Sequence, residues 1–340
     1  MVRLLTVLLA ALVAGGAFRP AARVLDIYWI DVEGGASTLV VTAQGQAFLM
    51  DTGYAGLNDR DPARIQHVLT HEAGVKQLDY VLTSHFHADH AGGLTALTRR
   101  VSIATFVDHG DSIDQAAGPG RALWEQYLTT VGAKRRSVRP GDRLALRGVD
   151  LTIVASDGRA LTSPIGRAVP NPSCGTFTRQ PDDATENGRS LGYHLRAGTF
   201  DFLDLGDLSW NFQHTLVCPN NLLGAIDLLQ APHHAVRDDV LPQLLAAVRP
   251  AVVVMNNGPT KGGGPVAVAA VLASPGLEDA WSLHRVLAND AAHNAPEPHT
   301  ANLGPTDGCA GAWIRARVSD DGTFVVTNSR NGYAKTYRVK

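Results

Sequence analysis

The chain has 340 residues, 45% hydrophobic and 18% charged, with a formal net charge of -2. That is enough chain for one large α/β domain with insertions. The charge balance argues against a general affinity for nucleic acid, which needs a basic stripe to neutralise phosphates, and the basic run 134–139 reads as a solvated face. Three cysteines, Cys174, Cys218 and Cys309, allow at most one disulfide, which is expected without its pair being assignable.

At the start, Arg3, the apolar run 4–13 and the small residues Gly15-Gly16-Ala17 read as a secretory signal peptide over 1–17, with cleavage as late as 22. The uncharged run 4–18 is shorter than the roughly 18–20 residues of a spanning helix, so the mature chain is expected to be soluble and exported, to the bacterial periplasm or the medium. Residues 24–32 and 37–42 then read as strands, and Gln44-Gly45 turns the chain into a third over 46–51. Asp51 closes that strand, either as a turn former or as the partner that holds a metal-bound histidine. Asp61-Pro62 starts a helix with Ile65, Val68 and Leu69 on one face, which makes His67 and His71 ordinary helix residues.

Residues 79–84 form an apolar strand running into Ser84-His85-Phe86-His87-Ala88-Asp89-His90, and a helix is expected over 91–98. Three imidazoles and a carboxylate in six positions are metal-binding chemistry. His85 and His87, two apart in extended chain, can face one ion while Asp89 and His90 turn to another, so two ions are expected. His109, just past a strand over 103–107, faces the same site or caps a turn.

From 110 to 189 the chain is rich in Gly, Pro, Arg and Ser, with a helix near 121–131 and a strand near 150–154; residues 156–188 read as a substrate-side insertion. Gly188-Arg189-Ser190-Leu191-Gly192 matches a serine-hydrolase elbow, but that motif needs a helix after the serine and residues 190–196 alternate like a strand. A second strand, 199–205, ends in Gly206-Asp207, and a third, 225–230, in Pro232-His233-His234. A helix over 239–248, a strand over 251–256 and a flexible rim loop at 257–264 follow. His284, His293 and His299 read as rim or surface residues, and strands at 313–318 and 323–327 form a closing hairpin.

The loop at 83–93, together with Leu25-Asp26-Ile27-Tyr28-Trp29-Ile30-Asp31-Val32 before Gly34-Gly35, Phe48-Leu49-Met50-Asp51-Thr52-Gly53 and Leu229-Gln230-Ala231-Pro232-His233-His234, resembles the metallo-β-lactamase superfamily, and within it the hydrolase domain of ComEC-type competence proteins. The resemblance implies an α/β (α+β) fold, a four-layered αββα sandwich, over 24–330 with insertions near 110–188 and 257–310. It implies metal ligands His85, His87, Asp89 and His90, with Asp207 bridging two ions in preference to Asp204. His233 is expected to complete the second ion's shell and its neighbour His234 to contact substrate; His194 is a further candidate ligand. Asp89 and His234 are the expected catalytic residues. Zinc is the default cofactor and manganese the alternative.

The chemistry this implies is hydrolysis by a water whose pKa falls toward about 7, on a phosphodiester first and on a lactone, thioester or β-lactam second. An exported metal-binding or interaction protein without turnover is the reading from another class. The sequence leaves the oligomeric state open.

Overall fold

The computed structural model describes residues 22–237 and 239–340; the expected signal peptide lies outside them. The chain opens with β1 (Arg23–Trp29), β2 (Thr38–Thr42) and β3 (Ala47–Met50), followed by α1 (Arg60–His67), β4 (Gln77–Leu82), α2 (Ala88–Ala91), α3 (Leu94–Thr98), β5 (Ser102–Asp108), α4 (Pro119–Val131) and β6 (Arg135–Ser137). The expected single helix over 91–98 is two short ones. Gly93 joins them, and a side chain there would meet the Thr52 carbonyl at 2.1 Å, so only glycine lets the metal loop pack this closely against β3. The basic run 134–139 is no solvated face throughout: Arg135 on edge strand β6 turns into Asp108 at 2.6 Å.

The middle of the chain forms β7 (Arg143–Leu144), β8 (Asp150–Ser156), β9 (Arg159–Ala160), β10 (Val169–Pro170), β11 (Gly192–Ala197), β12 (Phe200–Asp204), α5 (Trp210–Val217) and β13 (Asn220–Asn221). Then come β14 (Leu228–Gln230), α6 (Pro242–Val248), β15 (Val252–Met255), α7 (Pro265–Leu272), β16 (Asp279–His284) and β17 (Thr300–Asn302). The chain finally returns to the first sheet with β18 (Ile314–Ser319), β19 (Thr323–Asn328) and β20 (Ala334–Arg338). β20 extends the expected closing hairpin by a third strand.

Two large sheets result, ordered β20-β19-β18-β1-β2-β3-β4-β5-β6 and β17-β16-β15-β14-β12-β11-β8-β7, with β9 pairing to β8, and β10 and β13 form a separate two-stranded sheet. Strand periodicity sorts their side chains. Leu25, Ile27 and Trp29 of β1 face inward onto Leu195, Phe202 and Val254, while Tyr28 and Ile30 face outward among Ile65, Leu97 and Trp124. β15 is buried on both faces, Val252 and Val254 toward the first sheet and Val253 and Met255 toward α6 and α7, which explains its unbroken apolar run. Helices therefore cover both outer faces, in αββα order.

The disulfide joins Cys174 to Cys218, pinning the 156–188 segment to the end of α5 and leaving Cys309 as the free thiol.

Candidate metal centre

β3, β4 and β5 run parallel in the first sheet, as do β12, β14 and β15 in the second. Carboxyl-terminal ends of strands from both sheets thus open at one edge of the sandwich, where α/β proteins place their sites. A polar tie fixes the sheets beneath that edge. Gln230 on β14 accepts from Trp29 Nε1 at 2.8 Å and Thr38 Oγ1 at 2.7 Å, and donates to Asp204 at 2.9 Å. Asp204 is fully buried; burial, with Asp51 and Asp207 adding like charge, pushes its carboxyl up to about 7. It is a structural acid within the tie.

Above the tie, β4 delivers the loop 83–87 and β3 delivers Asp51. Asp51 accepts from the Ser84 amide at 2.8 Å, the Ser84 hydroxyl at 2.7 Å and His90 Nδ1 at 2.8 Å. Its role is therefore to orient His90, turning Nε2 into the centre. Nε2 of His90 lies 3.1 Å from His234 Nε2 and 3.2 Å from both Asp89 Oδ2 and Asp207 Oδ2. His234 Nε2 lies 3.3 Å from Asp89 Oδ2 and 3.4 Å from Asp207 Oδ2. Four donors at the corners of a tetrahedron with metal bonds of about 2.0–2.1 Å stand roughly 3.3–3.4 Å apart. The buried set Asp89, His90, Asp207 and His234 fits one divalent ion on geometry and donor type alike.

The electrostatics agree. Burial would raise the carboxyls of Asp89 and Asp207, yet His90 and His234 hold both well below the usual range. Burial would lower His90, yet Asp207, Asp89 and Asp51 raise it, and Asp207 and Asp89 raise His234. The converging carboxylates thus favour positive charge at this point.

Beside this set, His85 Nε2 and His87 Nδ1 stand 2.9 Å apart, and His85 Nε2 is 3.9 Å from Asp207 Oδ2. Burial and the neighbouring His90 push His85 well below its ordinary pKa, leaving it a neutral imidazole able to ligate. Asp207 Oδ2 accordingly faces both groups. Gly206 sets it there, since its φ of 54° and its approach to Ser84 both disfavour a side chain.

Residues 30–163 match the family model described as the metallo-beta-lactamase superfamily. The fold is the metallo-β-lactamase fold. Among curated proteins, coenzyme F420H(2) oxidase of Methanothermobacter marburgensis is 30% identical over 116 residues, 34% of this chain and 26% of that protein. The chain therefore spans about a quarter of that relative's length. Among solved structures, the metallo-beta-lactamase fold protein YhfI of Bacillus subtilis aligns at TM-score 0.44 and 12% identity, over 76% of this chain and 95% of that one. A putative metal-dependent hydrolase of Parabacteroides distasonis aligns at TM-score 0.43 and 15% identity, over 79% and 98%.

In this metallo-β-lactamase-fold chain the adjacent histidines divide differently from expectation. His234, fully buried, joins the four-donor set; His233, with 23% of its side chain exposed, lies 3.4 Å from Asp207 Oδ2 and pairs through Nδ1 with Asp239 at 2.7 Å. Left-handed backbone at both, φ 49° and 53°, twists the pair so that the second imidazole points inward. His194 does not reach the centre: it sits on β11 with Nε2 2.8 Å from Asp201, off the line of a hydrogen bond. Ser190 is buried and followed by β11 rather than a helix, so the elbow is absent.

Three residues went unread in the sequence. Glu186 receives the Phe86 amide at 3.1 Å, His109 Nε2 at 3.0 Å, and the Ser112 hydroxyl and Ile113 amide at 2.7 Å each. Burial opposes its charge, but His109 and Ser112 bring the carboxyl down to about 2. Glu186 therefore clamps the metal loop from the 156–188 insertion, and His109 serves that clamp instead of the centre. Asn187, next to it, has a buried Oδ1 without a partner and Nδ2 3.5 Å from His233 Nε2. Lys261, read as part of a flexible rim loop, places its ammonium on Asp89 and 3.4 Å from the Tyr54 hydroxyl. None of the three carries a local signature, because each acquires its meaning from a partner at least 46 residues away.

Proposed function

We propose that this chain is an exported metal-dependent hydrolase acting on a phosphodiester, with two divalent ions, zinc by default. The observation that carries the reading is the tetrahedral spacing of Asp89, His90, Asp207 and His234, with His85 at 3.9 Å from Asp207 Oδ2 and at 2.9 Å from His87 beside it. Bound there, the ions would lower the pKa of a water toward about 7 and polarise the bond under attack.

The chain's own residues do the rest. Asp51 fixes His90 through Nδ1, and the Asn256 carbonyl, 3.2 Å from His234 Nδ1, fixes His234. Glu186 holds the Phe86 amide so that His85 and His87 keep their places. Lys261, whose ammonium lies on Asp89, would be free to offer a cation to an anionic substrate oxygen at the mouth of the site if Asp89 held an ion. That cation supports a phosphodiester ahead of a neutral lactone or β-lactam. A disulfide between Cys174 and Cys218 supports export, since such bonds persist in oxidising compartments. The similarity of the loop and its three companion segments to the ComEC-type hydrolase domain supports the same substrate class.

The test is a panel: a model phosphodiester, a lactone, a thioester and a cephalosporin, each with and without chelator. Chelator-sensitive cleavage of the phosphodiester alone, restored by zinc or manganese, is the expected result. Preferential turnover of one of the others reassigns the substrate, and no turnover by metal-loaded protein favours a binding role.

A further inference from the structure

A second group of ligand-type side chains lies outside the centre. Asp31 and Glu33 sit in the turn after β1, His284 ends β16, and Cys309 lies in the loop after β17; their donor atoms fall within 4.8 Å of one another. His284 Nε2 is 2.7 Å from Asp31 Oδ1 and 3.9 Å from Glu33 Oε2, and Cys309 Sγ is 3.4 Å from Asp31 Oδ2.

This is more than an acidic cluster beside a thiol. Asp31 and His284 are fully buried, and the Glu33 side chain is only 4% exposed, yet its Oε2 is aimed into the group with no hydrogen-bond partner. A buried carboxylate oxygen without a donor is costly and asks for a cation. Arg64 supplies one positive charge, to Asp31 at 2.9 Å and to the other Glu33 oxygen at 3.1 Å. With Cys309 a thiol, the two carboxylates exceed Arg64 by one negative charge; a divalent ion that displaces the thiol proton leaves the group neutral.

We propose that Asp31, Glu33, His284 and Cys309 form a second, structural metal site for zinc, separate from the centre at Asp89 and Asp207. Thiolate, imidazole and carboxylate together suit zinc, and four protein donors leave no open position, as in closed structural sites. Ligation needs the 2.7 Å contact between His284 and Asp31 to open by roughly half an ångström to reach tetrahedral spacing. Burial and Asp31 push the Cys309 thiol up to about 12, so the incoming ion displaces the thiol proton to solvent as the metal–sulfur bond forms. An open groove lined by Asp307, Cys309 and Arg330 gives the ion its path. The site would staple the β1 turn, the end of β16 and the 302–312 loop. It would also support the loop bearing Lys261, because Asn257 donates to the His284 carbonyl at 2.8 Å. It does not depend on the hydrolytic reading.

The test uses cobalt(II) on the full chain, made metal-free with its disulfide intact. The centre at Asp89, His90, Asp207 and His234 has no sulfur donor and Cys309 is the free thiol, so a thiolate-to-cobalt charge-transfer band reports this cluster alone. The band is expected in the wild type, retained in His234→Ala, weakened in His284→Ala and lost in Cys309→Ser. Zinc should bleach it and slow the reaction of Cys309 with a disulfide reagent by roughly tenfold or more. These two wild-type readouts decide the matter even where a variant fails to fold. Cobalt-saturated wild type with a reduced thiol but no sulfur band, or a band that survives Cys309→Ser, overturns the proposal.

Discussion

Asp51 accepts a hydrogen bond from His90 Nδ1 at 2.8 Å, across 39 residues of chain, and so decides which nitrogen of His90 meets the metal centre. Asp51→Asn keeps the volume and tolerates the left-handed backbone at φ 65°, but cannot hold the N–H as strongly. Metal affinity should fall by about 10–100-fold, read by competition with a chromophoric chelator. Unchanged affinity would remove Asp51 from the design of the centre.

The imidazoles should separate by metal content. His234→Ala removes a donor and should weaken binding at that ion by about 100-fold or more, at least what a lost orienting partner costs. His233→Ala should retain that ion. His194→Ala should leave metal stoichiometry alone and cost about 1–2 kcal/mol of stability, as a buried truncation does. Elemental analysis after dialysis, with denaturant melts alongside, tests all three; metal loss in His194→Ala would contradict the geometry.

Glu186 gives a pH dependence with a definite sign. Its carboxyl lies at about 2 in the fold, below its ordinary value of 4.5, so its contribution is present above about pH 4.5 and is lost as pH falls toward 2. The full effect is on the order of 3 kcal/mol. Glu186→Gln should therefore be less stable than wild type at pH 7, with the difference shrinking as the solution is acidified. Denaturant midpoints at pH 7 and pH 3 measure it, and a difference that is constant with pH would refute the assignment.

The disulfide closes a separation of 44 residues, for which unfolded-chain entropy gives about 4 kcal/mol. The double variant Cys174→Ala, Cys218→Ala should lose a stability of that order while keeping its metal centre. An unaltered denaturant midpoint would show that the bond constrains nothing.

Ser190→Ala should keep chelator-sensitive hydrolysis within a factor of a few, because Ser190 is buried, 3.4 Å from His85 Nδ1, and leads into a strand. Loss of all turnover with metal content intact would revive the serine reading.

The sequence by itself determined what depends on neighbours along the chain. The six-position cluster from His85 to His90 follows an apolar strand, and alternation in β1 assigns Leu25, Ile27 and Trp29 to one face and Tyr28 to the other. Ligand type and strand period are local properties, so both are legible in a single line of residues. Closing the fold decided the rest. Whether His233 or His234 turns inward depends on two left-handed backbone angles, which only the turn after β14 dictates. That His194 meets Asp201, that Glu186 clamps the Phe86 amide, and that Asp31 and Cys309 meet across 278 residues follow from how the sheets and their connections stack. No periodicity encodes such meetings, because each is fixed by the packing of the two sheets and not by any stretch of chain alone.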